Sequence, residues 1–197
     1  MYKGTNPAAL RSQQAITTSF VELSNNLPFN DISIKLIMAQ SGLARQTFYQ
    51  IFSSKEEIVE LYLETIFAKY IKKFAYHELE SLCDIAKIYF SFFEQHKDFI
   101  VFLIRNGKST ILQKKCREFL ESNQYLQFSP QGLNSDTEKG CTTAFIISGI
   151  VGLLEYWFND KTGSDKLDAD QMALLVCRIT NSEAESRIDL KKIHENI

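Results

Sequence analysis

Apolar residues recur at three- and four-residue spacing along nearly the whole chain, the period of helices that bury one side, and no run of strict alternation marks a strand. Ile16, Phe20, Leu23 and Leu27 stand at i, i+4, i+7 and i+11, which predicts a first helix from about Pro7 to Asn26. Pro7 suits the first turn, where a missing N–H costs nothing, and Asn25-Asn26-Leu27-Pro28 ends the helix. Ser33 caps a short second helix whose Ile34, Ile37 and Met38 face inward, and Gly42 stops it. A third short helix is expected from about Ala44 to Phe52. Ser54, followed three residues on by Glu57, has the spacing of a capping box and launches a long helix to about Phe74. Further helices are expected at about 79–95, 98–105, 109–126, 137–159 and 168–182, separated most clearly by loops at 128–136 and 160–164. The segment 183–197 fits neither pattern. The expected fold is therefore all-α with about nine helices, and three prolines and eight glycines in 197 residues agree with it.

The third helix has two unlike sides. On a wheel of 100° per residue, Ala44, Phe48, Ile51 and Phe52 gather on one side, while Gln46, Thr47, Tyr49 and Gln50 occupy the other, with Arg45 at the boundary. The apolar set is large enough to dock a two-turn helix, which leaves hydrogen-bonding side chains outward. Those groups suit base edges or phosphates, although any solvated helix face is polar too. Two short helices joined by a tight turn at Gly42 also match the helix-turn-helix, whose second member enters the major groove.

Charge adds a local asymmetry. Residues 1–55 hold five basic side chains (Lys3, Arg11, Lys35, Arg45, Lys55) against Glu22 and Asp31, a balance of +3; the formal net charge of -2 leaves -5 for the rest. A modestly basic end on an acidic body suits a protein that offers one face to phosphates. Cys83, Cys116, Cys141 and Cys177 lie far apart without C-x-x-C or histidine spacing, so no metal site or disulfide framework is expected, and reduced thiols are. No cofactor motif is present. No nucleophile, base and orienter can be assembled from three scattered histidines, which argues against an enzyme. No signal-peptide pattern opens the sequence, and the charge-free stretch Cys141–Leu154 is short for a span of roughly 20 residues, so a cytoplasmic protein without a membrane partner is expected.

From Ile34 to Ile58 the chain resembles the DNA-binding signature of the TetR (tetracycline repressor) family. The matching positions are Ile37, Gly42, Thr47, Phe48, Tyr49, Phe52, Ser54, Lys55, Glu56 and Glu57. The likeness is specific over residues 10–60 and architectural beyond. Met38, Ala44 and Gln46 depart from the family's small residue, Ser cap and Gly; the lost cap costs about 1 kcal/mol. The resemblance implies a helix-turn-helix domain over residues 1–54, completed by the start of the next helix, and a helical regulatory and dimerisation domain over 55–197. It implies a homodimeric repressor of a palindromic operator in double-stranded DNA, open to release by a small-molecule effector, with an activator or co-regulator acting through a protein partner and no small-molecule effector as the alternative.

On matching positions, Ser33, Thr47, Tyr49 and Lys55 are expected at phosphates. Arg45 and Gln46 are expected at base edges, with Lys35 and Gln50 as auxiliaries; the Gln46 amide has the geometry to pair with adenine. Ala144, Ser148 and Gly152 form a small-residue strip flanked by Phe145, and Met172, Leu175, Val176 and Ile179 form an apolar stripe. Both are expected at the twofold interface. Tyr89, Phe92, Phe93, Phe102, Phe119 and Tyr156 are candidates for an effector pocket, or for ordinary core.

Overall fold

A computed structural model describes residues 1–74, 82–122, 135–158 and 167–180. Among them are nine helices and no strand: α1 (Pro7–Ser24), α2 (Ile34–Ser41), α3 (Arg45–Ile51), α4 (Lys55–Phe74), α5 (Leu82–Gln95), α6 (Lys97–Arg105), α7 (Ser109–Ser122), α8 (Asp136–Trp157) and α9 (Ala169–Thr180). The all-helical expectation holds. The outer ends of several expected helices, most of the 128–136 loop, the 160–164 loop and the 183–197 tail lie outside the described residues.

Contacts group the chain into two units, Met1–His77 with His96–Gly163, and Glu78–Gln95 with Ser164–Ile197. In the first, Ile16 and Phe20 of α1, Ile37 of α2, Phe48 of α3, Ile58 and Leu63 of α4, and Ile100 and Leu103 of α6 are fully buried. Phe20 meets Phe29 edge-on at 5.9 Å and Phe102 at 6.1 Å, so α1, the following loop and α6 share one aromatic cluster. Stacking of this kind adds to area burial and fixes relative placement. The head helices are thus rooted in the body. In the second unit α5 packs on α9, and Ala86, Phe90 and Phe93 are buried with Ala169, Met172 and Ala173.

Local rules explain the ends. Asn6 caps α1 by accepting from Ala8 N–H, with Pro7 just inside, and Ser135 and Glu138 form a reciprocal capping box on α8. At α4 the Glu57 carboxylate accepts from Ser53 N–H at 2.7 Å, one residue before the Ser54 expected to begin the box.

α4 and α7 are joined by charge. Glu60 and Glu64 of α4 face Lys114 and Lys115 of α7: Lys115 Nζ lies 2.6 Å from Glu64 and 2.7 Å from Glu118, and Lys114 Nζ 2.8 Å from Glu60. Burial alone would lower the pKa of Lys115, but hydrogen bonds to Glu118 and Glu64 outweigh it and raise the pKa above its ordinary value.

α8 runs from Asp136 to Trp157, close to the expected 137–159; by length and composition alone it could cross a membrane, and 22% of its most apolar stretch is buried. Cys116 and Cys141 are free thiols, whereas Cys177 is disulfide-bonded, against the expectation of reduced thiols.

Candidate nucleic-acid interface

Ser33 fixes the start of α2. Its backbone is extended and its Oγ accepts from Leu36 N–H at 3.1 Å, which leaves the hydroxyl proton for another acceptor. Gly42 then takes φ 70°, a left-handed conformation that glycine adopts without strain, and its N–H returns to Met38 C=O. This turn aims α3. The Gln40 amide donates to Glu22 at 2.7 Å and holds α2 to α1.

α3 is docked by Phe48, Ile51 and Phe52, all buried; Phe48 meets Tyr49 edge-on at 5.4 Å and Phe52 at 5.9 Å. Ala44, expected on that side, is instead exposed, because it lies before the helix as an N-cap that gives no side-chain hydrogen bond. The far end of α3 is tied down by Tyr2, whose N–H donates to Ile51 C=O at 2.7 Å, and Gln13 donates to Tyr2 C=O at 3.2 Å.

The outward face carries what the wheel placed there. Arg45, Gln46, Tyr49 and Gln50 are exposed, Thr47 is half-buried, and Ser33 and Lys35 are exposed at and on α2. Tyr49 is 55% exposed despite its ring. Its hydroxyl accepts from Arg45 Nη2 at 3.2 Å, and the guanidinium sits 5.9 Å above the ring centroid. The pair projects a planar cation and a phenol from adjacent turns. Arg45 has donors left for a guanine edge or a phosphate, and Gln46 offers both an amide donor and acceptor.

Lys55 is placed differently from the other candidates. Its ammonium turns inward to donate to the carbonyls of Phe29 and Ile32, each at 2.7 Å, and lies 4.4 Å from the Phe29 ring centroid. Burial lowers its pKa. Two of its three N–H groups are therefore spent inside the protein, and its first task is to hold the loop before α2.

The family-model match to a TetR-type transcriptional regulator C-terminal region spans residues 80–182. The chain belongs to the TetR family of transcriptional regulators. Two solved structures share its fold. A TetR transcriptional regulator from Streptococcus agalactiae 2603V is 16% identical with a TM-score of 0.60, over 87% of this chain and 94% of that one. The dihydroxyacetone kinase operon activator DhaS is 18% identical with a TM-score of 0.52, over 86% of this chain and 92% of that one. No curated protein matches.

The remaining candidates fall as follows. On α8, Phe145, Ser148 and Gly152 are exposed and Ala144 is half-buried. On α9, Leu175 and Val176 are half-buried and Ile179 is exposed, but Met172 is buried within the protein, and Leu174 is another large exposed apolar side chain. Helical spacing gives the stripe but not which edge of it is covered. Among the pocket candidates, Tyr89, Phe92 and Phe93 lie on α5, in one unit, and Phe102, Phe119 and Tyr156 in the other. Tyr89 meets Phe93 at 4.6 Å, Phe102 joins the Phe20 and Phe29 cluster, Phe119 meets Phe67 at 5.1 Å, and Tyr156 is 71% exposed.

Proposed function

We propose that this TetR-family regulator is a homodimeric repressor, non-enzymatic and cytoplasmic, that binds a palindromic operator through residues 1–54 while residues 55–197 dimerise and regulate. One observation carries the DNA reading: α3 buries Phe48, Ile51 and Phe52 and leaves Arg45, Gln46, Tyr49 and Gln50 in solvent. Arg45 and Gln46 read base edges; Ser33, Thr47 and Tyr49 grip phosphates, with Lys35 and Gln50 beside them and Lys55 acting mainly through the loop it holds. Sequence information comes from the first pair, since phosphates are alike at every position. Selection of bound duplexes from a random pool tests this. Two inverted half-sites about one helical turn or more apart are expected; a pool that stays random contradicts the proposal.

The dimer proposal rests on α8. Phe145 is 79% exposed, and Ser148, Gly149 and Gly152 form an exposed strip along which a second helix can approach closely. A Cβ added at Gly149 or Gly152 would meet nothing within 4 Å among the described residues, so packing among these does not account for either glycine. On α9, in the other unit, Leu174 and Ile179 are also exposed apolar side chains. A twofold mate would cover such surface. Phe145→Glu is expected to weaken the dimer by roughly 30-fold or more, as loss of an aromatic anchor does. Sedimentation at several concentrations measures it, and an unchanged association constant would count against this interface.

A small-molecule effector is favoured by a cleft of about 720 Å³ in the first unit, between the end of α1 and α6. Leu27, Val101, Phe102 and Phe158 supply apolar lining, with Asn25, Lys97 and Arg105 among its polar groups. That size suits small ligands. Binding there would release DNA only through unequal affinity for two arrangements of the head.

A further inference from the structure

Phe29, in the loop between α1 and α2, is held by three of its groups at once. Its N–H donates to Asn106 Oδ1 at 2.8 Å, across 77 residues of chain. Its carbonyl accepts from Lys55 Nζ at 2.7 Å. Its ring lies 4.4 Å from the Lys55 ammonium and 4.1 Å from that of Lys108. Asn106 is itself aimed, since its Nδ2 donates to Phe102 C=O at 2.8 Å. Lys108 is aimed as well, by Glu56 at 3.0 Å. Gly107, at φ 65°, makes the turn that puts Asn106 and Lys108 on either side of it.

This clasp joins the α6–α7 turn to the five residues before α2. Lys55 extends it by taking Ile32 C=O at 2.7 Å, and Ser33 follows as the cap of α2. α2 and α3 are short, at 8 and 7 residues, and helices of that length hold no orientation of their own. What fixes the loop therefore fixes how the pair is presented.

We propose that Asn106 is a positioning residue for DNA binding: by holding the Phe29 amide, with Lys55 and Lys108 on the carbonyl and ring, it sets the angle at which α2 and α3 meet the duplex. The proposal rests on the DNA-binding reading, but the clasp itself is measurable without DNA. It assigns work to the α6–α7 turn, which carries none of the residues proposed at bases or phosphates, and gives the body a direct hold on the head.

Two variants test it on the full chain. Asn106→Leu keeps the branched shape, at a larger volume, and removes both hydrogen bonds, whereas Asn106→Asp keeps an acceptor for Phe29 N–H and loses only the donor to Phe102 C=O. Amide hydrogen exchange followed by NMR should be roughly tenfold faster in Asn106→Leu at Phe29 and in the first turn of α2, as loss of one such bond allows, with α7 and α8 unchanged. Asn106→Asp should restore part of that protection, since it keeps the bond to Phe29 but not the one to Phe102 C=O. Affinity for the selected operator should fall roughly tenfold or more in Asn106→Leu and recover in part in Asn106→Asp, while binding to unrelated DNA at low salt stays within about twofold, because the α3 side chains are intact. Unchanged exchange at Phe29 and α2, or faster exchange throughout the protein, would overturn the clasp. Faster local exchange with operator affinity unchanged would overturn its positioning role. A wild-type protein that selects no DNA, with the exchange result as expected, would defeat the DNA reading and with it the positioning role, while leaving the clasp standing.

Discussion

Phe48→Ala is expected to destabilise the first unit by about 3–5 kcal/mol and to abolish operator binding with it. Phe48 has no solvent exposure and packs its ring against Tyr49 and Phe52 within a helix of only seven residues. Truncation removes the transfer energy of the ring and leaves a cavity that the buried neighbour Phe52 cannot fill cheaply. A helix this short does not persist without its dock. Urea unfolding followed by circular dichroism measures the loss. A change below about 1 kcal/mol would mean that α3 is held by something other than its apolar side.

Lys115→Ala is expected to cost roughly 2–4 kcal/mol, less than a fully enclosed pair because Glu64 and Glu118 remain partly in water. Lys115 is only 5% exposed, and its removal leaves Glu60, Glu64 and Glu118 facing one another between α4 and α7. Lys115→Met retains the packing of the stem and should lose less. The pH dependence has a definite sign. The folded pKa of Lys115 is raised, so its contribution is fully present below its unfolded pKa near about 10.4 and is lost as pH rises through the higher folded value. The stability gap between wild type and Lys115→Ala should therefore be level from neutral pH to about pH 9.5 and narrow only in stronger alkali. A gap already closing between pH 7 and 9 would show that the ammonium is not held as described.

The head was legible in the sequence because its signals are local. Pro7, Ser33 and Gly42 are each sufficient to start or stop a helix, and the observed ends of α1, α2 and α3 fall within about two residues of the expected ones. The wheel separated the two sides of α3 correctly except at Ala44, which belongs to the cap. What escaped depends on partners distant along the chain. Lys55 matches a family position expected at phosphate, yet its ammonium is spent on the carbonyls of Phe29 and Ile32, 26 and 23 residues away. Asn106 carried no signal, because an asparagine ending a helix looks the same whether its amide faces water or a loop 77 residues earlier. Met172 shares a stripe with Ile179, but periodicity marks apolar positions without saying which of them the subunit covers. The aromatic positions assigned to an effector pocket have the same weakness, and they fall in two separate units.

The central claim is that the outward face of α3 distinguishes one DNA sequence from another. A fluorescence titration of the selected duplex and a scrambled duplex, with wild type and with an Arg45→Ala, Gln46→Ala double variant, tests it most directly. Wild type should prefer the selected duplex strongly, and the double variant should lose about 1–3 kcal/mol of that preference at each contacted base pair while retaining salt-dependent binding to both. Preference undiminished in the double variant would place base reading elsewhere in the protein and contradict the account.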